Sequence, residues 1–154
     1  MRSLLDAFSP GAAARDGIIL KFGSMNHVTS RSIESSQGYL PLHYAVENQA
    51  SEAVVKMLVD AHPAGVREKD YGGFLPLHCA AINQAPDAVI FALVGAYPDG
   101  AKAVVQPGGF LPLHYAATNQ ATKGGASAIL AAYPGGAMRK TDGTQLALHL
   151  AATV

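Results

Sequence analysis

Apolar residues along this chain fall in short stretches with a helical period. Val54, Val55, Leu58 and Val59 mark one stretch, and Ala88-Val-Ile-Phe-Ala-Leu-Val94 is its counterpart further on. Each closes on an aromatic ring and proline or their equivalent: His62-Pro63, Tyr97-Pro98, Tyr133-Pro134. The residue before proline is pushed out of the α region, so these dipeptides predict helix ends. Ahead of each stretch stands a second, shorter burst: Leu40-Pro-Leu-His43, Leu75-Pro-Leu-His78, Leu111-Pro-Leu-His114 and a worn Leu146-Ala-Leu-His149. Pro41, Pro76 and Pro112 suit a first helical position, where the missing N–H costs nothing and φ is already helical. The pattern predicts pairs of short antiparallel helices, the first opening at Leu-Pro and the second closing at Tyr-Pro.

The four histidines are spaced 35, 36 and 35 residues apart. Gly38-Tyr39, Gly73-Phe74 and Gly109-Phe110 precede the phrase, and Asn48-Gln-Ala50, Asn83-Gln-Ala85 and Asn119-Gln-Ala121 follow it. Asn-Gln-Ala falls between the helices, with Asn expected in the left-handed conformation that ends a helix. Gly65, Gly100 and Gly136 are expected to permit a tight reversal after the second helix. Self-similarity at such a period marks a stacked-repeat solenoid, whose usual product is an extended surface. Leu4-Leu-Asp-Ala-Phe-Ser-Pro-Gly11 aligns with Leu93-Val-Gly-Ala-Tyr-Pro-Asp-Gly100. The expected organisation is therefore a partial repeat (second helix only) over 1–16, an insertion or connecting loop over 17–37, and full repeats over 38–72, 73–108 and 109–142. A partial repeat (first helix only) over 143–154 closes the chain, which reads as a fragment of a longer array. The insertion is either a mobile loop or a contact element.

Composition narrows the class. Hydrophobic residues make up 49% and charged residues 14%, against ~25% charged in ordinary domains, which excludes a disordered chain. Eleven basic residues balance eleven acidic ones, so no global field draws the chain to nucleic acid. No apolar run approaches the ~20 residues that a membrane-spanning helix needs, so no membrane insertion is expected. The single cysteine, Cys79, excludes an internal disulfide and suits a reducing, intracellular setting, cytoplasmic or nuclear.

Gly-x-Leu-Pro-Leu-His-x-Ala followed by a second helix and a turn resembles the ankyrin repeat, whose signature is Gly-x-Thr-Pro-Leu-His-x-Ala-Ala. The resemblance covers Gly38 to Leu150 and, more weakly, Leu4 to Gly17. It implies an all-α, ankyrin-type helix-turn-helix solenoid of three full repeats plus partial repeats at both ends. Its departures are consistent: leucine replaces Thr, the period exceeds the family's 33, and Tyr-Pro or His-Pro stands where Gly-Ala commonly ends the second helix. The resemblance gives His43, His78, His114 and His149 a structural role, hydrogen-bonding backbone between units, with Leu42, Leu77, Leu113 and Leu148 beside them. It also places Tyr39, Phe74 and Phe110 in the turn facing the concave groove, as partner anchors or as rings stacked into the core. Glu47, Ile82 and Thr118 map to variable groove positions. Arg67, Lys69, Asp70, Tyr71, Lys102, Arg139 and Lys140 map to turn tips, either as ligand contacts or as solvated turn.

Catalytic and metal readings find little support. Histidines in neighbouring repeats sit roughly 10 Å apart, too wide for ligands each ~2 Å from one zinc. Cys79 stands where its sister repeats carry Tyr44 and Tyr115, and reads as a buried thiol. No phosphate-binding loop is present, and no cofactor, metal or enzymatic activity is expected. The expected function is a protein–protein interaction scaffold, a monomeric module or part of a longer chain, binding through the concave helix face and turn tips. The alternative is a spacer or regulatory segment of a larger enzyme, kinase or channel. Leu77→Ala should cost ~2–5 kcal/mol, as for other large-to-small core changes. Leu75→Thr should be tolerated, because a Thr cap (~1 kcal/mol) offsets much of the lost burial. Thermal melts of both variants check this, and a drop of many degrees for Leu75→Thr would count against the exchange.

Overall fold

A computed structural model describes residues 39–152. The expected partial repeat over 1–16 and the insertion over 17–37 lie outside the described residues. Seven α-helices follow in order: α1 (Pro41–Glu47), α2 (Glu52–Ala61), α3 (Pro76–Ile82), α4 (Asp87–Ala96), α5 (Pro112–Thr118), α6 (Lys123–Ala132) and α7 (Ala147–Ala151). A 3-10 turn follows each second helix: Pro63–Arg67, Pro98–Lys102 and Pro134–Met138. The short helices α1, α3, α5 and α7 pack side by side in one layer, and α2, α4 and α6 form the other. Between them lies one core, with Leu42, Val46, Val55, Leu77, Val89, Ile90, Leu93, Leu113 and Ile129 all buried. Val54 and Val59 are half-buried at its edge. The fold is the expected all-α solenoid.

The short helices start at an extended leucine: Leu75 has φ −80° and ψ 159°, and Pro76 follows at the first helical position. A leucine side chain offers no acceptor to the first turn. The histidine three residues on supplies the return half of a capping box, its Nδ1 accepting the leucine N–H at 3.2 Å (Leu40), 3.1 Å (Leu75), 3.0 Å (Leu111) and 3.2 Å (Leu146). The leucine side chain goes into the core instead, with Leu40, Leu75 and Leu111 at 4%, 2% and 1% exposure.

The helix ends differ from expectation in one detail. The left-handed residue is the glutamine of Asn-Gln-Ala and not the asparagine: Gln49, Gln84 and Gln120 have φ of 54°, 52° and 53°, while Asn48 sits at φ −91°. The physical reason is a Schellman ending. Ala50 N–H reaches the Ala45 carbonyl at 2.8 Å and Gln49 N–H the Val46 carbonyl at 3.1 Å. That pattern requires a positive φ one residue beyond the cap. Asn stays at the cap, where its Nδ2 donates to the carbonyl four residues back, 2.8–2.9 Å in all three units.

Gly65, Gly100 and Gly136 also have a different role. None has a positive φ; they lie inside the 3-10 turns. A Cβ on Gly100 would lie 3.1 Å from Tyr97 Cδ1, on Gly136 3.2 Å from Tyr133 Cδ1, and on Gly65 3.1 Å from His62 Cδ2. The glycine makes room for the ring that ends the second helix.

Gly124 and Gly125 fall in the first turn of α6, where Thr122 is the N-cap. A Cβ on Gly125 would come within 2.5 Å of Ile90 Cδ1, so the pair lets α4 approach closely. Asp87 at the start of α4 uses that approach: its carboxylate accepts the Gly125 N–H at 2.8 Å and the Thr122 hydroxyl, capping a helix of the next unit.

The 36-residue spacing comes from one turn. Asp70 N–H bonds Phe74 O and Thr141 N–H bonds Gln145 O, each four residues on, whereas Val105 pairs with Phe110, five on. The one-residue extension stays in the hairpin and leaves the helix pairs in phase.

Gln84→Gly should raise stability by roughly 0.5–1 kcal/mol, because glycine takes the left-handed region without penalty. Gly100→Ala should lower it, and less so in a Tyr97→Ala background where the ring is gone. Urea unfolding of the two single variants and the double checks both effects.

Candidate functional site

The histidine row links the units. His43 Nε2 lies 3.1 Å from Phe74 O, His78 Nε2 3.1 Å from Ala103 O and His114 Nε2 2.9 Å from Arg139 O, each carbonyl belonging to the following turn. Because each Nδ1 accepts a backbone N–H, it carries no proton; Nε2 therefore holds the proton and donates it to the carbonyl. All three rings are fully buried. Burial lowers the pKa of each below the usual histidine value, to about 4 for His78. These rings are neutral, doubly bonded and closed to a metal or a proton-transfer role. Among the described residues no group of three His, Cys, Asp or Glu side chains is placed to hold a metal ion. Cys79 is buried and its thiol is pushed up to about 12, chiefly by that burial, so it is not a nucleophile at neutral pH.

The fourth rung has different surroundings. Leu148 is 74% exposed and His149 is exposed, although Leu42, Leu77 and Leu113 are buried. Among the described residues no second helix packs over α7 as α2, α4 and α6 pack over α1, α3 and α5. The His149 ring keeps the cap to Leu146.

Beside the histidines runs a row of rings. Tyr39, Phe74 and Phe110 are half-buried. Tyr39 stacks on His43 at 5.6 Å and meets Tyr44 edge-on at 5.1 Å. Phe74 and Phe110 meet His78 and His114 at 6.1 and 6.0 Å, and both touch Tyr115, at 5.8 and 5.4 Å. Tyr115 reaches Phe74 across the unit in which small Cys79 replaces a tyrosine. The recurring aromatics thus pack against the imidazoles and against Tyr44 or Tyr115, and each stays partly open to solvent. Tyr44 and Tyr115 belong to this row; their place directly after the histidine in two units was the signal for them.

The turn tips divide. Lys69 and Tyr71 are exposed, Tyr71 at 60%, and so are Arg139 and Lys140. Asp70 between them is buried: its carboxylate accepts the Phe74 N–H at 2.8 Å and shapes the turn from within. Arg67 is exposed yet lies over the Tyr97 ring at 5.2 Å, and Lys102 bonds Asp99 at 2.8 Å. On the first helices Glu47 and Thr118 are exposed and Ile82 is half-buried. Neighbouring tips are tied together, since Asp142 accepts the Gly108 N–H at 3.0 Å and returns its own N–H to Gly108 O at 2.9 Å. At the opposite end Gln49 Nε2 donates to Asn83 O at 3.2 Å. Nothing in the local pattern singled out either link. Among the described residues the arrangement is a stepped surface of turn tips joined by backbone hydrogen bonds.

No helix among the described residues is long and apolar enough to cross a membrane. A family model described as ankyrin repeats (3 copies) matches residues 12–101. No protein of curated function matches the chain. The α5–α6 pair and α7 lie beyond the matched span and repeat its histidine caps.

Stability should fall in acid. Unfolded imidazoles protonate near 6.5 and folded His78 only near 4, so its contribution is complete above pH 6.5 and is lost as pH falls through 4. At ~1.4 kcal/mol per pH unit, His78 alone accounts for ~3 kcal/mol. Melting temperatures measured between pH 7 and pH 4 check this, and a level profile would contradict the neutral-histidine geometry.

Proposed function

The chain belongs to the ankyrin repeat family, and from that premise we propose that it binds a protein partner through its turn tips and the exposed ends of its first helices. Ankyrin repeats are in general protein–protein interaction modules, which is the coarse function. The finer reading rests on one observation: the side chains left exposed at the tips, Lys69, Tyr71, Arg139 and Lys140, stand on turns whose backbone is held on several sides. Asp70 shapes the first of these turns from within, His43 and His114 bond the backbone of the two at Phe74 O and Arg139 O, and Asp142 ties the second to Gly108 of the turn before it. A surface ordered before binding loses less entropy on association. Tyr71 supplies a rigid amphipathic ring of the kind favoured as an interface anchor. The basic tips favour an acidic patch on the partner.

Affinity capture with the full chain, compared with a Lys69→Glu/Tyr71→Ala/Lys140→Glu variant, tests this. The variant should melt at the same temperature and retain partner binding weakened by about tenfold or more, equivalent to ~1.4 kcal/mol. Equal recovery of the same partner by both proteins would rule out the tips as its binding surface.

A further inference from the structure

The second helices present their outer faces through two residues one turn apart. These are Lys56 and Asp60 on α2, Phe91 and Gly95 on α4, and Ser127 and Ala131 on α6, and all six are exposed. After Asp87, α4 carries no polar side chain. A helix apolar all round is ordinarily buried on every side. Yet Phe91 keeps 53% of its surface in solvent. Gly95, one turn on, weakens the last turn of α4, and a Cβ there would meet nothing within 4 Å. The fold itself gives no packing reason for that glycine. A protruding ring and a notch on the same helix face are complementary to a second copy of themselves.

We propose that the chain forms a two-fold dimer in which α4 helices of two copies run antiparallel, Phe91 of each seated against Gly95 of the other. The charges on the neighbouring α2 favour this partner and this orientation. The arrangement lays α2 along α2 of the second copy, so that Lys56, which also pairs with Glu52 of its own helix, comes opposite Asp60 in both directions. Reversing the second copy would lay α2 on α6 and leave both charges facing small neutral residues. On the other flank Ser127 comes opposite Ala131, and neither obstructs the close approach. The half-exposed Met57 and Leu130, at 41% and 38%, border the contact. This surface lies on the second-helix layer and leaves the turn tips open, so it stands whether or not the tips bind a partner.

Sedimentation equilibrium of the full chain from micromolar to millimolar concentration tests the proposal. The expected result is a reversible monomer–dimer equilibrium. Phe91→Asp should weaken it by about tenfold or more. Gly95→Leu should weaken it similarly while the melting temperature of the monomer holds or rises, because leucine favours the helix and has room there. Lys56→Asp alone and Asp60→Lys alone should each weaken the dimer, and the double exchange should restore it. A chain that stays monomeric throughout overturns the proposal. So does a dimer indifferent to Phe91→Asp and Gly95→Leu, or one that the double exchange fails to restore.

Discussion

Each fully buried imidazole joins two units by engaging its nitrogens with backbone on opposite sides. The chain opens its short helices at leucine, which cannot cap them, so the N–H of that leucine turns to His Nδ1 at 3.0–3.2 Å. With Nδ1 accepting, the proton belongs to Nε2, and Nε2 then donates to a carbonyl of the next turn at 2.9–3.1 Å. One side chain starts a helix and fixes where the following turn must lie. It can do both only while neutral, and burial keeps it neutral. Among the described residues no buried side-chain nitrogen or oxygen lacks a hydrogen-bond partner, so the polar row through the core carries no uncompensated group.

The consistent departures from the family signature follow from the same economy of space. Replacing the capping Thr by leucine adds a buried side chain at Leu40, Leu75 and Leu111, and the histidine alone carries the cap. Replacing the small residues at the end of the second helix by Tyr or His places a ring against the 3-10 turn. That ring fits because a glycine stands three residues later, as at Tyr97 and Gly100. Arg67 then covers the outer face of Tyr97, so the ring bridges two units. A stack built this way holds its turns at set positions. The side chains on them are presented without a loop having to order.

Much of the architecture was legible because it is local. Proline at the first helical position, the ring-proline stop and the aliphatic period act within one unit, and α1 to α6 open and close where those residues stand. Leu42, Leu77 and Leu113 are buried beside the histidines, as the family resemblance implied. The candidate surface was legible only in part. The residues flanking Asp70 lie at exposed tips as their polarity suggested, but Asp70 turns inward, because its carboxylate is the nearest acceptor for the Phe74 N–H. The recurrent aromatics were equally consistent with a contact row or a core row until their distances to the histidines and to Tyr115 were known.

By itself the sequence determined the repeat, the helix pairs and the histidine rungs, since each is written in residues close to one another and copied at a constant phase. Tertiary structure decided which residue of Asn-Gln-Ala takes the left-handed turn, why Gly100 and Gly125 are glycine, and how Asp87 caps α6. The physical reason is the same in each case but the first. These features depend on what a neighbouring helix, ring or unit places against the residue, and a single repeat carries no record of its neighbour's approach. At the glutamine the choice lies in two backbone hydrogen bonds that form only once the helix has closed.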